Sequence, residues 1–260
     1  MKGDTEVVLM IAFFFVGFAV ASFLAGSHMP TTVGDIVNPL ATLVAAFMGA
    51  WAAFRLQTIQ KRDEEKRTHI AAGNRALSTL MQQANTLKLF QNDFITPFRN
   101  DPGRQFAIQP TLPYQEDALP FDFRSLDFLS HPEQQQTLFE LSIEENRFRE
   151  ALKAINTRSR HHFEIVQPML MAAGIQEGRE YTVDQFRAAI GDLHYIHLKR
   201  LTEAVIIHVD RTVESLCAMK DRLRKALREE CPEGRFLNFE LLNEPPPSIF
   251  SSQRGGPAPN

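Results

Sequence analysis

The sequence predicts an all-α protein. The N-terminus should form a two-helix transmembrane hairpin, followed by a cytosolic antiparallel bundle of three long helices with a cap rich in proline and aromatic residues, and then a disordered tail. Positions 7–24 and 36–54 carry no charge and are mostly apolar, whereas charged residues lie almost wholly from Arg55 onward. This asymmetry is typical of a membrane anchor joined to a soluble domain. Beyond Arg55, apolar residues recur at helical spacing in three long stretches, which predicts the bundle.

The anchor is assigned to residues 1–56, with spans at about 7–24 and 36–56. The first run has the minimum length for a transmembrane helix and is longer than the usual apolar core of a signal peptide. A cleaved signal peptide is the main alternative. Its positive N-terminal region is missing, because Lys2 is the one basic side chain there and two acidic residues oppose it.

The positive charges orient the anchor. The loop between the two spans contains no Lys or Arg, and basic residues crowd the exit of the second span. The positive-inside rule therefore puts the loop outside and both termini in the cytoplasm of a multi-pass plasma (inner) membrane protein. The basic collar expected at the membrane surface consists of Arg55, Lys61, Arg62, Lys66 and Arg67.

Small residues occupy every fourth position along part of each span. Such rows let two helices approach closely in lipid, where packing drives association. They would either close the hairpin or build an oligomer, and the alternative is that Ala and Gly are simply common in spans. The rows are Gly17, Ala21 and Ala25 in the first span, and Ala45, Gly49 and Ala53 in the second.

The cytosolic bundle is assigned to residues 57–242. Its helices are predicted at about 57–98, 132–173 and 183–231, with a cap at 99–131 and a disordered tail at 243–260.

Capping signals mark where two of these helices begin. Ser130 followed by Pro132 is a plausible start for the second helix, and Pro168 should kink its last turns. Thr182 and Gln185 have capping-box spacing, which predicts the start of the third helix.

Four prolines prevent the cap from forming one long helix, and a short helix is expected at 123–129. A weak alternation at 235–242 suggests a strand that pairs with 106–108. The aromatic residues of the cap favour an ordered segment and are the first candidate for a partner surface. They are Phe106, Tyr114, Phe121, Phe123 and Phe128.

Composition argues against several classes of function. A net charge of −3 and a pI near 6.3 give no overall attraction for nucleic acid. Cys217 and Cys231 lie too far apart on one predicted helix to bridge each other, so reduced thiols are expected, with a disulfide between subunits as the alternative. The sequence contains no Gly-rich phosphate loop and no nucleophile elbow. We therefore expect no cofactor, no small-molecule substrate and no enzymatic activity.

Histidines form the one cluster worth testing for metal chemistry. His161 and His162 lie on the second predicted helix, and His194, His197 and His208 lie on the third. Positions 194 and 197 share a helix face, as metal ligands must. The Glu-x-x-His motif of bundle di-metal sites is missing. We expect a hydrogen-bonded core role for His197 and surface positions for the others.

The resulting functional hypothesis is a membrane-anchored scaffold, regulator or oligomeric assembly subunit that acts by protein–protein interaction. Its partners would be the lipid bilayer and either a second copy or another membrane-associated protein. The alternative is a small oligomeric channel, although Asn38 and Thr42 are the only polar side chains of the second span. A histidine-based metal protein or enzyme is a third hypothesis.

Overall fold

The computed structural model describes residues 31–175, 179 and 181–238, with side chains from residue 42 onward. All regular structure in these residues is helical and none is strand, which confirms the predicted all-α class. The first predicted span, with Gly17, Ala21 and Ala25, and the predicted tail at 243–260 lie outside the described residues.

Five α-helices and four shorter helical turns make up the described chain. In order they are α1 (Thr31–Phe90), a π turn (Gln91–Ile95), a 3-10 turn (Thr96–Phe98), α2 (Arg104–Ala107), a 3-10 turn (Phe123–Leu129), α3 (Gln135–His161), a π turn (His162–Val166), α4 (Gln167–Ala172) and α5 (Val183–Glu230).

The chain divides into two compact units, residues 1–64 and 65–260. In the first unit, the described residues form the N-terminal part of α1. This is the one described helix that is long and apolar enough to cross a membrane. Large apolar side chains there, including Phe47 and Phe54, are exposed, and the Arg55 guanidinium lies 5.5 Å from the centre of the Trp51 ring.

The second unit is a helical bundle with one main hydrophobic core. Each long helix contributes buried leucines, and the segment between α1 and α3 adds apolar side chains of its own. Burying a side chain of this size stabilises the fold by about 1.5–3 kcal/mol. The contributors include Leu77, Leu80 and Leu87 from α1, Ile108, Leu126 and Leu129 from the connecting segment, Leu141, Leu152 and Ile155 from α3, and Val209, Leu216 and Leu223 from α5.

Polar contacts between α3 and α5 show their relative direction. Arg222 donates to Glu140 at 2.5 Å, and one turn further along α3 the Glu144 carboxylate accepts from Ser215 at 2.6 Å. The partner in α5 therefore steps back as α3 advances, so these two helices run in opposite directions.

Both π turns end two residues before a proline. The turn Gln91–Ile95 precedes Pro97, and His162–Val166 precedes Pro168. Proline has no amide hydrogen to donate to the carbonyl four residues earlier. A π turn shifts the acceptor by one position, and the Gln167 amide accordingly donates to His162 O. The kink predicted near Pro168 thus takes the form of a π turn just before it.

The helix starts agree only in part with the sequence signals. Thr182 and Gln185 form the predicted capping box, and the predicted short helix at 123–129 is a 3-10 turn. Ser130 does not cap α3, because it closes that 3-10 turn, and α3 begins only at Gln135. The turn that contains Pro132 lies between Ser130 and Gln135, so α3 begins later than the sequence signals predicted.

The buried side of α5 moves to a different face of the helix after Gly191. This glycine has φ +74° and ψ 159° within an otherwise helical run. Ile190 is buried before the break, but Leu193 is 77% exposed and His197 is exposed beyond it, while Leu198 is buried. The prediction of a core role for His197 is therefore wrong, because it assumed one uninterrupted helical period.

The predicted strand pairing is also wrong. Residues 106–108 include the end of helix α2, and 235–238 form no strand. The Asn74 amide takes the place of a partner strand, because it donates to Arg235 O at 3.2 Å and accepts from the Leu237 amide at 2.9 Å. One side chain on α1 thus holds the segment that follows α5.

Candidate functional site

The most unusual polar group of the second unit is Arg158 on α3, which is 1% exposed. Its guanidinium donates to the backbone carbonyls of Gln105, Ile108 and Gln109. Burial lowers the pKa of Arg158 to about 10, so the side chain still carries its charge at neutral pH. A buried cation therefore binds the carbonyl-rich end of α2 and the residues just after it.

Two further residues of the same α3 turn fix the next part of the connecting segment. The Asn156 amide accepts from the Tyr114 backbone amide at 2.8 Å and donates to Tyr114 O at 2.9 Å. The Thr111 amide donates to Ser159 Oγ at 3.2 Å. These bonds compensate for the missing regular structure at 109–114, since buried backbone groups need partners. The segment is therefore held on α3 by polar side chains.

A groove of about 600 Å³ lies between this segment and α3 with its π turn. Two apolar side chains along it are strongly exposed, with Leu112 at 88% and Phe163 at 65%. The groove is lined by Gln109, Pro110, Thr111, Leu112, Pro113, Asn156, Ser159, Arg160, Phe163, Glu164 and Gln167.

The chemistry of the groove favours binding. Its described lining contains neither cysteine nor histidine, and the Ser159 hydroxyl lies 3.3 Å from the Thr111 hydroxyl rather than beside a general base. Apolar surface with a few polar groups that fix orientation is typical of a recognition site. The groove can therefore hold apolar groups, and Arg160 and Glu164 add one charge of each sign to its lining.

The aromatic residues predicted as a partner surface pack mostly against the rest of the bundle, and their role in binding a partner stays a prediction. Phe106 and Phe121 are buried, and Tyr114 and Phe128 pack against the main core. Only Phe123 is exposed. A segment with so little regular structure needs its aromatic side chains to attach it to the helices, which leaves few for a partner.

The predicted membrane residues are exposed wherever their side chains are described. This holds for all five residues of the basic collar and for the small-residue row of the second span. Within the collar, Lys66 lies 3.5 Å from Glu233. A Cβ added at Gly49 would meet no heavy atom within 4 Å. The membrane roles of Arg55, Lys61, Arg62, Lys66 and Arg67, and of Ala45, Gly49 and Ala53, stay predictions.

The structure brings three of the five histidines together. The His161 ring centre lies 4.6 Å from that of His197 and 6.0 Å from that of His194. His162 is buried, and burial together with the nearby Arg158 charge lowers the pKa of His162 to about 4. His208 lies on another face, beside a second cavity. In the positions that the rings adopt, no group of three His, Cys, Asp or Glu among the described residues is arranged to hold a metal ion.

Both cysteines are free thiols, as expected. Cys217 and Cys231 are half-buried, and burial raises the pKa of each thiol. Neither is therefore an activated nucleophile.

Few features of the sequence pointed to the groove. Arg158, Asn156 and Ser159 read as polar surface residues on a helix, and Leu112 as a lone apolar residue among prolines. One feature could have indicated the groove: the polar residues Asn156, Arg158 and Ser159 lie directly beside the apolar stripe that contains Ile155. Comparison with family models, with curated proteins and with solved structures gives no significant match for this chain.

Proposed function

We propose that this chain is a membrane-anchored helical protein that acts by binding another protein, as a scaffold, regulator or assembly subunit. The observation that carries the proposal is the groove, in which Leu112 and Phe163 are exposed while polar contacts hold the backbone beside them. Exposed apolar side chains on a rigid concave surface mark interaction sites.

The proposed architecture consists of a two-helix transmembrane hairpin at residues 1–56 and an antiparallel three-helix bundle in the cytoplasm. The apolar stretch of α1 and the basic collar after it support the anchor and its orientation. The opposite directions of α3 and α5 support the bundle. The protein would then be multi-pass in the plasma membrane, with both termini in the cytoplasm.

The proposed occupant of the groove is a peptide segment of a membrane-associated partner protein. A small molecule would be largely enclosed in its site. Here Leu112 and Phe163 remain mostly exposed, so an occupant that covers both has to extend beyond the cavity. Arg160 and Glu164 at the edge offer one charge of each sign to the flanking residues of such a segment.

Site-specific photo-crosslinking in native membranes tests this proposal. A photoreactive amino acid replaces Leu112 in the full-length chain, and the same replacement at Leu193 is the matched control. Leu193 is also strongly exposed, at 77% against 88% for Leu112, but is not among the residues that line the groove. We expect a protein adduct of defined mass from position 112 that is lost when Phe163→Ser is added, and none from position 193.

Equal adducts from both positions, or an adduct at 112 that survives Phe163→Ser, would contradict the groove as the contact site. An adduct with lipid alone would contradict a protein partner. An adduct of twice the chain mass would identify the partner as a second copy.

A further inference from the structure

The described part of the chain leaves the bundle at a fixed point. Phe236 is buried in the main core, and the Asn74 side chain on α1 bonds to the backbone on either side of it. Arg224 on α5 donates to Asn238 Oδ1 at 2.8 Å. Asn238 is the last described residue, so the C-terminal segment, defined as residues 239–260, starts beside Asn74.

The groove lies along the bundle from this exit point. The stretch of α1 from Asn74 to Phe90 is about 24 Å long at 1.5 Å per residue. The Phe90 ring centre is 6.3 Å from that of Tyr114, which is bonded to Asn156 in the groove lining. From Asn156 to Phe163 the chain runs away from the end of α5, because α3 and α5 are antiparallel. This adds about 10 Å, so the near and far ends of the groove are about 24 and 34 Å along the bundle from the exit point.

The C-terminal segment carries prolines and an apolar pair at matching distances. After Asn238 the sequence reads FELLNEPPPSIF. At about 3.3 Å per residue for an extended chain, the prolines at 245–247 reach about 23–30 Å from Asn238, and Phe250 reaches about 40 Å. Along the bundle, the prolines therefore come level with the near end of the groove, and Ile249 and Phe250 come level with its far end.

The groove also suits such a segment chemically. Consecutive prolines favour the extended polyproline II conformation before they bind, so they lose little conformational entropy on docking. Proline-rich segments dock in grooves with aromatic walls. In this groove Leu112 and Phe163 are strongly exposed, and covering them with Ile249 and Phe250 would remove apolar surface from water.

We propose that residues 245–250 of this chain occupy its own groove and compete there with the partner segment. A tethered segment whose length matches the span has an effective concentration in the millimolar range, so a weak contact is enough to keep many grooves covered. The inference rests on the proposed function of the groove, because it names the regulator of the same site. A partner would bind by displacing the C-terminal segment.

Crosslinking of the purified full-length protein in detergent tests whether the groove is occupied. A photoreactive amino acid replaces Leu112, with Leu193 again as the control position, and the linked tryptic peptides are identified by mass spectrometry. We expect position 112 to link to the tryptic peptide 236–254 in a product of monomer mass, and position 193 to give no such link. The absence of this link from position 112 would overturn the inference. A link found only in a product of twice the chain mass would also overturn it, because the segment would then come from a second copy.

Competition is measured in native membranes as the yield of the partner adduct from position 112. The double substitution Ile249→Ser and Phe250→Ser should raise this yield at least about threefold, as should deletion of residues 243–260. The matched control is Ser251→Ala with Ser252→Ala, which changes two neighbouring residues and should leave the yield as in wild type. A partner adduct that does not respond to Ile249→Ser and Phe250→Ser contradicts competition but leaves the proposed function standing. A link to peptide 236–254 without any partner adduct supports docking of the segment and contradicts the proposed function.

Discussion

Replacing Arg158 by methionine tests whether one buried cation holds the groove together. Methionine has a similar length, so the loss is mainly that of the donors to Gln105 O, Ile108 O and Gln109 O. Gln109 is exposed and its carbonyl can regain water, whereas Gln105 and Ile108 are buried. Leaving two buried acceptors without donors at about 1.5 kcal/mol each predicts a loss of about 3 kcal/mol.

The assay is denaturant unfolding of the full-length protein in detergent, followed by circular dichroism. Arg160→Met is the matched control, because Arg160 is an exposed arginine two residues away. It should change the free energy of unfolding by less than about 0.5 kcal/mol. Limited proteolysis of Arg158→Met should also cut within 105–114 sooner than in wild type. If Arg158→Met is as stable as Arg160→Met, water or a local rearrangement satisfies the carbonyls and the argument fails.

Three further substitutions probe backbone and charge. Gly73→Ala would put a methyl carbon 2.7 Å from Leu227 Cδ2, and should cost about 1–3 kcal/mol in denaturant unfolding; no loss would mean that Leu227 simply moves aside. Gly191→Ala forces alanine into a glycine-only region at φ +74°, and should lower the free energy of unfolding by about 1–3 kcal/mol, unless the helix straightens. Hydrogen bonds from Arg99 lower the pKa of Asp210. The ionised carboxylate therefore stabilises the folded chain at pH values above its unfolded pKa of about 3.9, and this stabilisation is lost as the pH falls through its folded pKa. Asp210→Asn should therefore cost about 1 kcal/mol at pH 7, and this cost should shrink steadily as the pH falls below about 3.9; a cost that does not change with pH would contradict the ionic role.

Helical periodicity correctly predicted which side chains are buried wherever the helices are regular. Leu77 and Leu87 on α1 and Leu141 and Leu152 on α3 are buried as their stripes require, because a regular helix converts spacing directly into a face. The same logic failed after Gly191, where one residue outside helical geometry rotates everything that follows. The sequence shows a glycine there but not its φ angle.

The groove could not be predicted for a related reason. Its shape depends on which backbone carbonyls Arg158 reaches. The segment between α1 and α3 that supplies them has no regular repeat in its sequence, so their positions cannot be predicted from it. The histidine cluster was partly predictable. The spacing of His194 and His197 indicated a shared face, but pairing with His161 depends on the phase after Gly191, which the sequence does not reveal.

The two π turns bear on how this chain should be compared with any relative. A π turn accommodates one residue more than the α-helical turn that it replaces, and here each one precedes a proline that an uninterrupted α-helix tolerates poorly. The extra residue and the proline are therefore compensating changes. A homologue that lacks both would align with a one-residue gap inside the helix at 91–95 or 162–166, and not in a loop. Alignments that confine gaps to loops would shift α4 by one residue and misassign the wall of the groove.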